Sequence, residues 1–239
     1  MSRKWSVAIL ALTLLLALPA ATLARMPHAT LTSIHVIRSL PAKPVPSAAN
    51  CTNAPSSPAN GGYVFTGWKV QGNKTAYLNT NSIPAGLSSA AAVTASLQAS
   101  FDAWTTAETA APDITVTGGG TLTKQAANHQ YDLLFGRTSG SSIAVTYTWT
   151  WSNGEIESDT VFNKGLSWFL AGGEGDGCYE SIARYELRNI ATHEFGHTYG
   201  LSHPSGARWE TMYAYGYTGE TLKWSLGAGD TDGVRARYP

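Results

Sequence analysis

The chain is poor in sulfur, in charge and in long apolar runs. Only two cysteines, Cys51 and Cys178, occur among 239 residues, too few for a framework of several disulfides. Charged residues make up 13% of the sequence, with 16 basic and 16 acidic side chains, so no electrostatic footprint marks a nucleic acid or anionic lipid as partner. The one sustained apolar run, Val7 to Leu18, is well short of the roughly 20 residues needed to span a bilayer. Methionine is scarce as well: beyond Met1 and Met26 there is only Met212. No internal repeat is present.

The apolar run follows Arg3 and Lys4 and ends in Thr22-Leu23-Ala24, the pattern of a secretory signal peptide over residues 1–24 with cleavage after Ala24. Its removal leaves 14 basic residues against 16 acidic ones and roughly 215 residues, enough for one domain with a full core plus an appendage. The expectation is a secreted, extracellular monomer, free of the membrane once the signal is cut. Export favours a Cys51–Cys178 disulfide pinning the N-terminal arm; the alternative is a Cys51 thiolate capping a metal. Residues 25–62 carry Pro27, Pro41, Pro44, Pro46, Pro55 and Pro58 with little periodicity and read as a Pro-rich linker or short propeptide.

Order is expected from residue 63 to 239. GWKVQGNKTAYLNT reads as an opening strand, and Val93, Leu97, Phe101 and Trp104 recur on one face of a long helix. DITVTG, YDLLFG and SIAVTYTWTW read as strands, the last with Val145, Tyr147, Trp149 and Trp151 on one face and Ala144, Thr146, Thr148 and Thr150 on the other. Asn153-Gly154 turns the chain into ESDTVFNK, and a glycine-rich loop, AGGEGDGC, leads to a second helix. Strands first and helices afterwards indicate an α+β fold.

That second helix carries HEFGHTYGLSH, residues 193–203, which holds three of the six histidines. Residues four apart share a helix face, so His193 and His197 aim at one point. Gly200 ends the helix in a left-handed conformation, and the reversed chain brings back His203. Three nitrogens leave one tetrahedral corner open, the mark of a catalytic rather than structural Zn2+ site. Glu194, one step round from His193, is placed as general base and acid. By chance the full pattern arises in about one in 100,000 chains of this composition.

The spacing H-E-x-x-H-x-x-G-x-x-H followed by a methionine resembles the metzincin signature, with Met212 as the Met-turn. From Trp68 to Pro239 the chain resembles the matrixins: TAYLNTNSIP with the helix ending FDAWTTA, then IESDTVFNKGLSW, then SLGAGDTDGVRARYP, occur in the matrixin order. The resemblance implies a metzincin catalytic domain, with a mixed, mostly parallel twisted sheet, an antiparallel edge strand, a long helix on the sheet, an active-site helix and a C-terminal helix. It implies a zinc metalloendopeptidase of the M10 type whose protein or peptide substrates pair as an added strand with the Ala144–Trp149 edge, Ala144 and Val145 included. A specificity pocket would be walled by residues 213–217, where Tyr213, Tyr215 and Tyr217 are the candidates.

Some positions depart from that pattern. Pro204 is the serralysin choice, Ala214 and Gly216 stand where matrixins commonly have proline and tyrosine, and the latency motif PRCGxPD is absent. No His-rich loop for a second zinc is seen, and His129 stands alone. Glu174 and Asp176 are candidate Ca2+ ligands, against a solvated loop. Asp230 resembles the aspartate that anchors a processed N-terminus in matrixins, and helix capping explains it equally well. The rival function is a catalytically silent zinc-bearing binding or adhesion module of the same fold; a hydrolase of non-peptide substrates is a third reading.

Overall fold

The computed structural model describes residues 27–40, 62–175, 177–179, 181–206 and 208–239. Eleven strands and three α-helices are found among them: β1 Ala29–Ser39, β2 Val64–Phe65, β3 Lys74–Leu78, α1 Ala90–Ala107, β4 Ile114–Gly118, β5 Tyr131–Gly136, β6 Ser142–Trp151, β7 Ile156–Asn163, β8 Trp168–Phe169, β9 Tyr185–Glu186, α2 Leu187–Thr198, β10 Leu201–Ser202, β11 Tyr215–Gly216 and α3 Ala228–Arg237. No described helix is long and apolar enough to cross a membrane.

Seven strands form one mixed sheet in the order β11-β1-β6-β7-β5-β3-β4. The β7-β5-β3-β4 half is parallel, whereas β6 runs antiparallel to β7. The expected mixed, mostly parallel sheet with helices packed on it is what the chain adopts.

Helix α1 begins where Ser89 accepts a hydrogen bond from the Ala92 N–H, relieving one of the unpaired donors of the first turn. Its Val93, Leu97, Phe101 and Trp104 stripe is fully buried, and each such side chain contributes roughly 1.5–3 kcal/mol. Phe101 stacks on Phe195 of α2 with centroids 3.6 Å apart. The Trp104 indole donates to the Thr192 carbonyl at 3.0 Å. Those contacts fix α2 between α1 and β6. At the C-terminus Tyr238 donates to the Tyr199 carbonyl and accepts from Val70 N–H, tying α3 to the end of α2.

The Asn153-Gly154 turn joins β6 and β7 as the sequence indicates, with Gly154 at φ 85°. Both faces of β6 are buried. The threonine face, not the tryptophan face, meets α2: Thr146 and Thr148 are completely covered. Strand β7 directs two acids toward the loop before β5. Glu157 accepts the Asn128 and His129 N–H groups, and Asp159 accepts those of Ala126 and Asp132.

The N-terminal arm departs from the linker reading. Residues Ala29–Ser39 form an eleven-residue strand that pairs antiparallel with β6 from Ala29 opposite Trp151 to Arg38 opposite Ser142. It continues parallel to β11, with Arg38 opposite Tyr215 and Ser39 opposite Gly216. The β6 edge, expected to be open, is covered by this strand. The signal segment and most of the Pro-rich stretch lie outside the described residues.

Candidate active site

Glu186 caps α2, accepting the Asn189 N–H at 2.7 Å, and Gly200 leaves the helix at φ 92°. A β-carbon at Gly200 would collide with the Trp68 carbonyl, so both the backbone angle and the space require glycine. The turn then feeds β10, and His203 comes back toward the helix.

The imidazoles of His193, His197 and His203 converge, with one ligand atom of each within 4.8 Å of the others. His193 Nδ1 lies 2.7 Å from the Thr211 carbonyl, and His197 Nδ1 lies 2.8 Å from the Leu201 carbonyl. A carbonyl only accepts, so each Nδ1 carries the proton and each Nε2 presents a lone pair. Both Nε2 atoms face His203 Nε2, at 3.1 and 3.0 Å. A proton on His203 Nε2 satisfies one of these contacts and leaves the other repulsive; a cation satisfies all three. Burial drives the ring pKa values of His193 and His197 well down and that of His203 to about 4, so the rings are neutral, as ligands must be. The donor set and its spacing fit a zinc ion, which takes imidazole nitrogens at about 2.0–2.1 Å.

Glu194 is fully buried on the same helix. The Thr146 hydroxyl donates to its Oε2 at 2.5 Å. Burial raises the carboxyl pKa to about 8, opposed by the Thr146 hydrogen bond and by the Ile37 backbone N–H. A carboxyl poised in this range both takes and returns protons near neutrality.

Met212 is buried behind the histidines, and the turn that carries it is fixed by Asp230. One Asp230 oxygen accepts the Thr211 and Gly227 N–H groups and the other accepts that of Met212. Asp230 thus joins the first turn of α3 to the methionine turn, and its bond to the Gly227 N–H is the helix capping that is one of the two sequence readings for it. Burial, then the nearby Glu210, raise its pKa to about 7.

Of the other candidates, Ala144 and Val145 face Ile37 and Val36 across the ladder. Tyr215 pairs with Arg38 and is exposed, its ring 5.5 Å from that of Tyr213, while Tyr217 is buried. Glu174 is engaged by Ser225 through the backbone N–H and the hydroxyl, and Asp176 lies outside the described residues. Cys51 also lies outside them; Cys178 is not free. Three residues near the site were not anticipated. His35 stacks on His197, centroids 4.2 Å apart, Thr146 holds Glu194, and the buried Lys223 places its Nζ 5.4 Å from the Tyr213 ring. Only Thr146 left a trace in the sequence, as one of a row of threonines on an otherwise apolar strand.

No curated protein matches the chain. Comparison with protein families matches residues 67–239 to the matrixins of peptidase family M10, and that stretch contains six of the seven strands of the sheet, the three helices and the histidine cluster. The chain belongs to the matrixin family of metalloproteases.

Proposed function

We propose that the mature protein is a secreted, monomeric zinc endopeptidase. The observation that carries this reading is the convergence of three neutral Nε2 atoms beside a buried carboxyl. His193, His197 and His203 hold the ion, which when bound supplies Lewis acidity toward a peptide carbonyl and toward water. Glu194 removes a proton from the attacking water and returns it to the amine that leaves. Thr146 fixes the carboxyl's direction, and the Met212 turn supports the ligands from behind. Substrate pairs as a strand along β6, in the position that β1 holds in this structure, so main-chain hydrogen bonds supply affinity and the pocket near β11 supplies choice. Calcium through Glu174 and Asp176 and a Cys51–Cys178 disulfide belong to the same reading.

Incubation of the exported protein with a denatured protein substrate tests it. Hydrolysis abolished by a chelator, and by Glu194→Ala with zinc still bound, is the expected result. One equivalent of zinc with no hydrolysis under any condition identifies a silent binding module instead. Cleavage of small esters without cleavage of proteins identifies a different hydrolase.

A further inference from the structure

A cavity of about 480 Å³ lies where α1, the first turn of α2 and the start of α3 meet, a size in the range of sites that hold small ligands. None of the residues lining it belongs to the histidine cluster or to the 213–217 wall. Arg188, which does line it, precedes His193 by five residues and is turned about 140° round α2 from that ligand.

The cavity is lined by one cation and one acid that do not pair with each other. The Arg188 guanidinium lies over the Trp224 ring at 4.5 Å, yet its Nε is buried without a hydrogen-bond partner. Among the described residues no carboxylate is in ion-pair range of it. A cation in the first turn of a helix also meets the positive end of the helix dipole, so an anion beside Arg188 would relieve both its charge and its unused donor. Asp102 reaches the cavity from α1. Gln98 holds one Asp102 oxygen at 2.8 Å and is itself fixed to β4, through the Val116 N–H at 2.7 Å and the Ile114 carbonyl at 3.1 Å. Trp224 is fixed in turn, its indole donating to Glu186 at 2.7 Å. Ala103 and Leu226 add apolar wall.

Two opposite charges held in one cavity select a ligand by its own charges. A dianion such as phosphate gains Arg188 but is repelled by Asp102, and a simple amine meets the reverse. A molecule with one charge of each sign satisfies both, while Trp224, Ala103 and Leu226 cover an apolar side chain. We propose that this cavity is a second binding site, for a free amino acid or short peptide with an apolar side chain, its carboxylate held by Arg188 and its ammonium by Asp102. Every peptide bond that is hydrolysed yields one new carboxylate and one new ammonium, so under the protease reading the site faces the class of molecule that the chain itself releases. Binding at the cavity does not depend on that reading.

The test is calorimetric titration of the full chain carrying Glu194→Ala, which prevents turnover, with leucine and with leucyl-leucine. N-acetyl-leucine, leucine amide and inorganic phosphate are the controls. Amino acids also coordinate zinc, so each titration is run with and without the metal. Saturable binding at a Kd of about 1 mM or below, in both metal states, is expected for at least one zwitterion, and the tighter of the two identifies amino acid or peptide as the ligand. Each singly charged control is expected to bind about tenfold more weakly or worse. Arg188→Gln and Asp102→Asn are each expected to weaken binding about 10- to 100-fold, and Ala103→Leu, which fills the cavity, to abolish it with the circular dichroism unchanged. Failure of both zwitterions to saturate overturns the proposal, as does binding indifferent to Arg188→Gln, binding seen only with zinc present, or phosphate bound more tightly than leucine. A parent chain that binds leucine in this way yet hydrolyses no peptide leaves the cavity site standing and removes the protease reading alone.

Discussion

The sulfur of Met212 presses on the bare α-carbon of Gly196, the residue immediately before the second histidine ligand. A β-carbon at Gly196 would collide with that sulfur and with the Trp104 ring, so the helix face behind the histidines is filled by groups from two other elements. Replacing Gly196 with Ala forces either the methionine turn or α1 away. Overpacking of this kind costs about 1–3 kcal/mol. Denaturant midpoints of the metal-free chain are expected to fall accordingly, with zinc binding weakened in the same variant.

Thr146→Val removes the hydroxyl that orients Glu194 without changing side-chain volume greatly. A hydrogen bond to a charged group contributes about 1.5–3 kcal/mol, so kcat on a peptide substrate is expected to drop about 10- to 100-fold with KM nearly constant. A change confined to KM would place Thr146 in binding rather than in positioning.

Metal removal leaves His203 Nε2 3.1 and 3.0 Å from the Nε2 atoms of His193 and His197 with no cation between them. Zinc at 100 times its Kd stabilises the folded state by about 2.7 kcal/mol, or about 5–10 °C in Tm for a domain of this size. Calorimetry with and without a chelator is expected to show that gap, and re-addition of zinc to close it.

Asp159 gives the stability of the fold a pH dependence away from the metal. Burial raises its pKa from 3.8 to about 8, against the hydrogen bonds from Ala126 and Asp132 that lower it, while Asp132 and Glu157 raise it further. Between those values the folded chain holds a proton that the unfolded chain has shed, so stability declines as pH rises through the window. One group contributes a slope of at most about 1.4 kcal/mol per pH unit. Unfolding midpoints of Asp159→Asn are expected to vary less between pH 5 and 8 than those of the parent.

The site was legible because its signal is local. His193 and His197 are one helical turn apart, Gly200 marks the reversal, and His203 follows within three residues, so spacing alone fixes the convergence. Met212 was legible because methionine is so rare in this chain. Strand β1 was not: it pairs with residues more than a hundred positions away, prolines flank it, and its alternation is broken because Leu31 and Ile34 face outward while Val36 and Ile37 are adjacent. His35 has no spacing relation to the other histidines. The two faces of β6 were separable by pattern, but not which of them meets α2, because a buried threonine face is stable only with partners such as Glu194 and Thr160. The carboxylates that hold the loop before β5 were equally silent, since their partners are backbone N–H groups that any sequence supplies.

X-ray absorption at the zinc edge, recorded on the zinc-loaded chain, reads the donor set itself. Three imidazole nitrogens at about 2.0–2.1 Å with one water oxygen, one nitrogen being lost in His203→Ala, are expected. A fourth protein nitrogen or a sulfur in the shell, or a spectrum indifferent to His203→Ala, would contradict three converging histidines with an open corner.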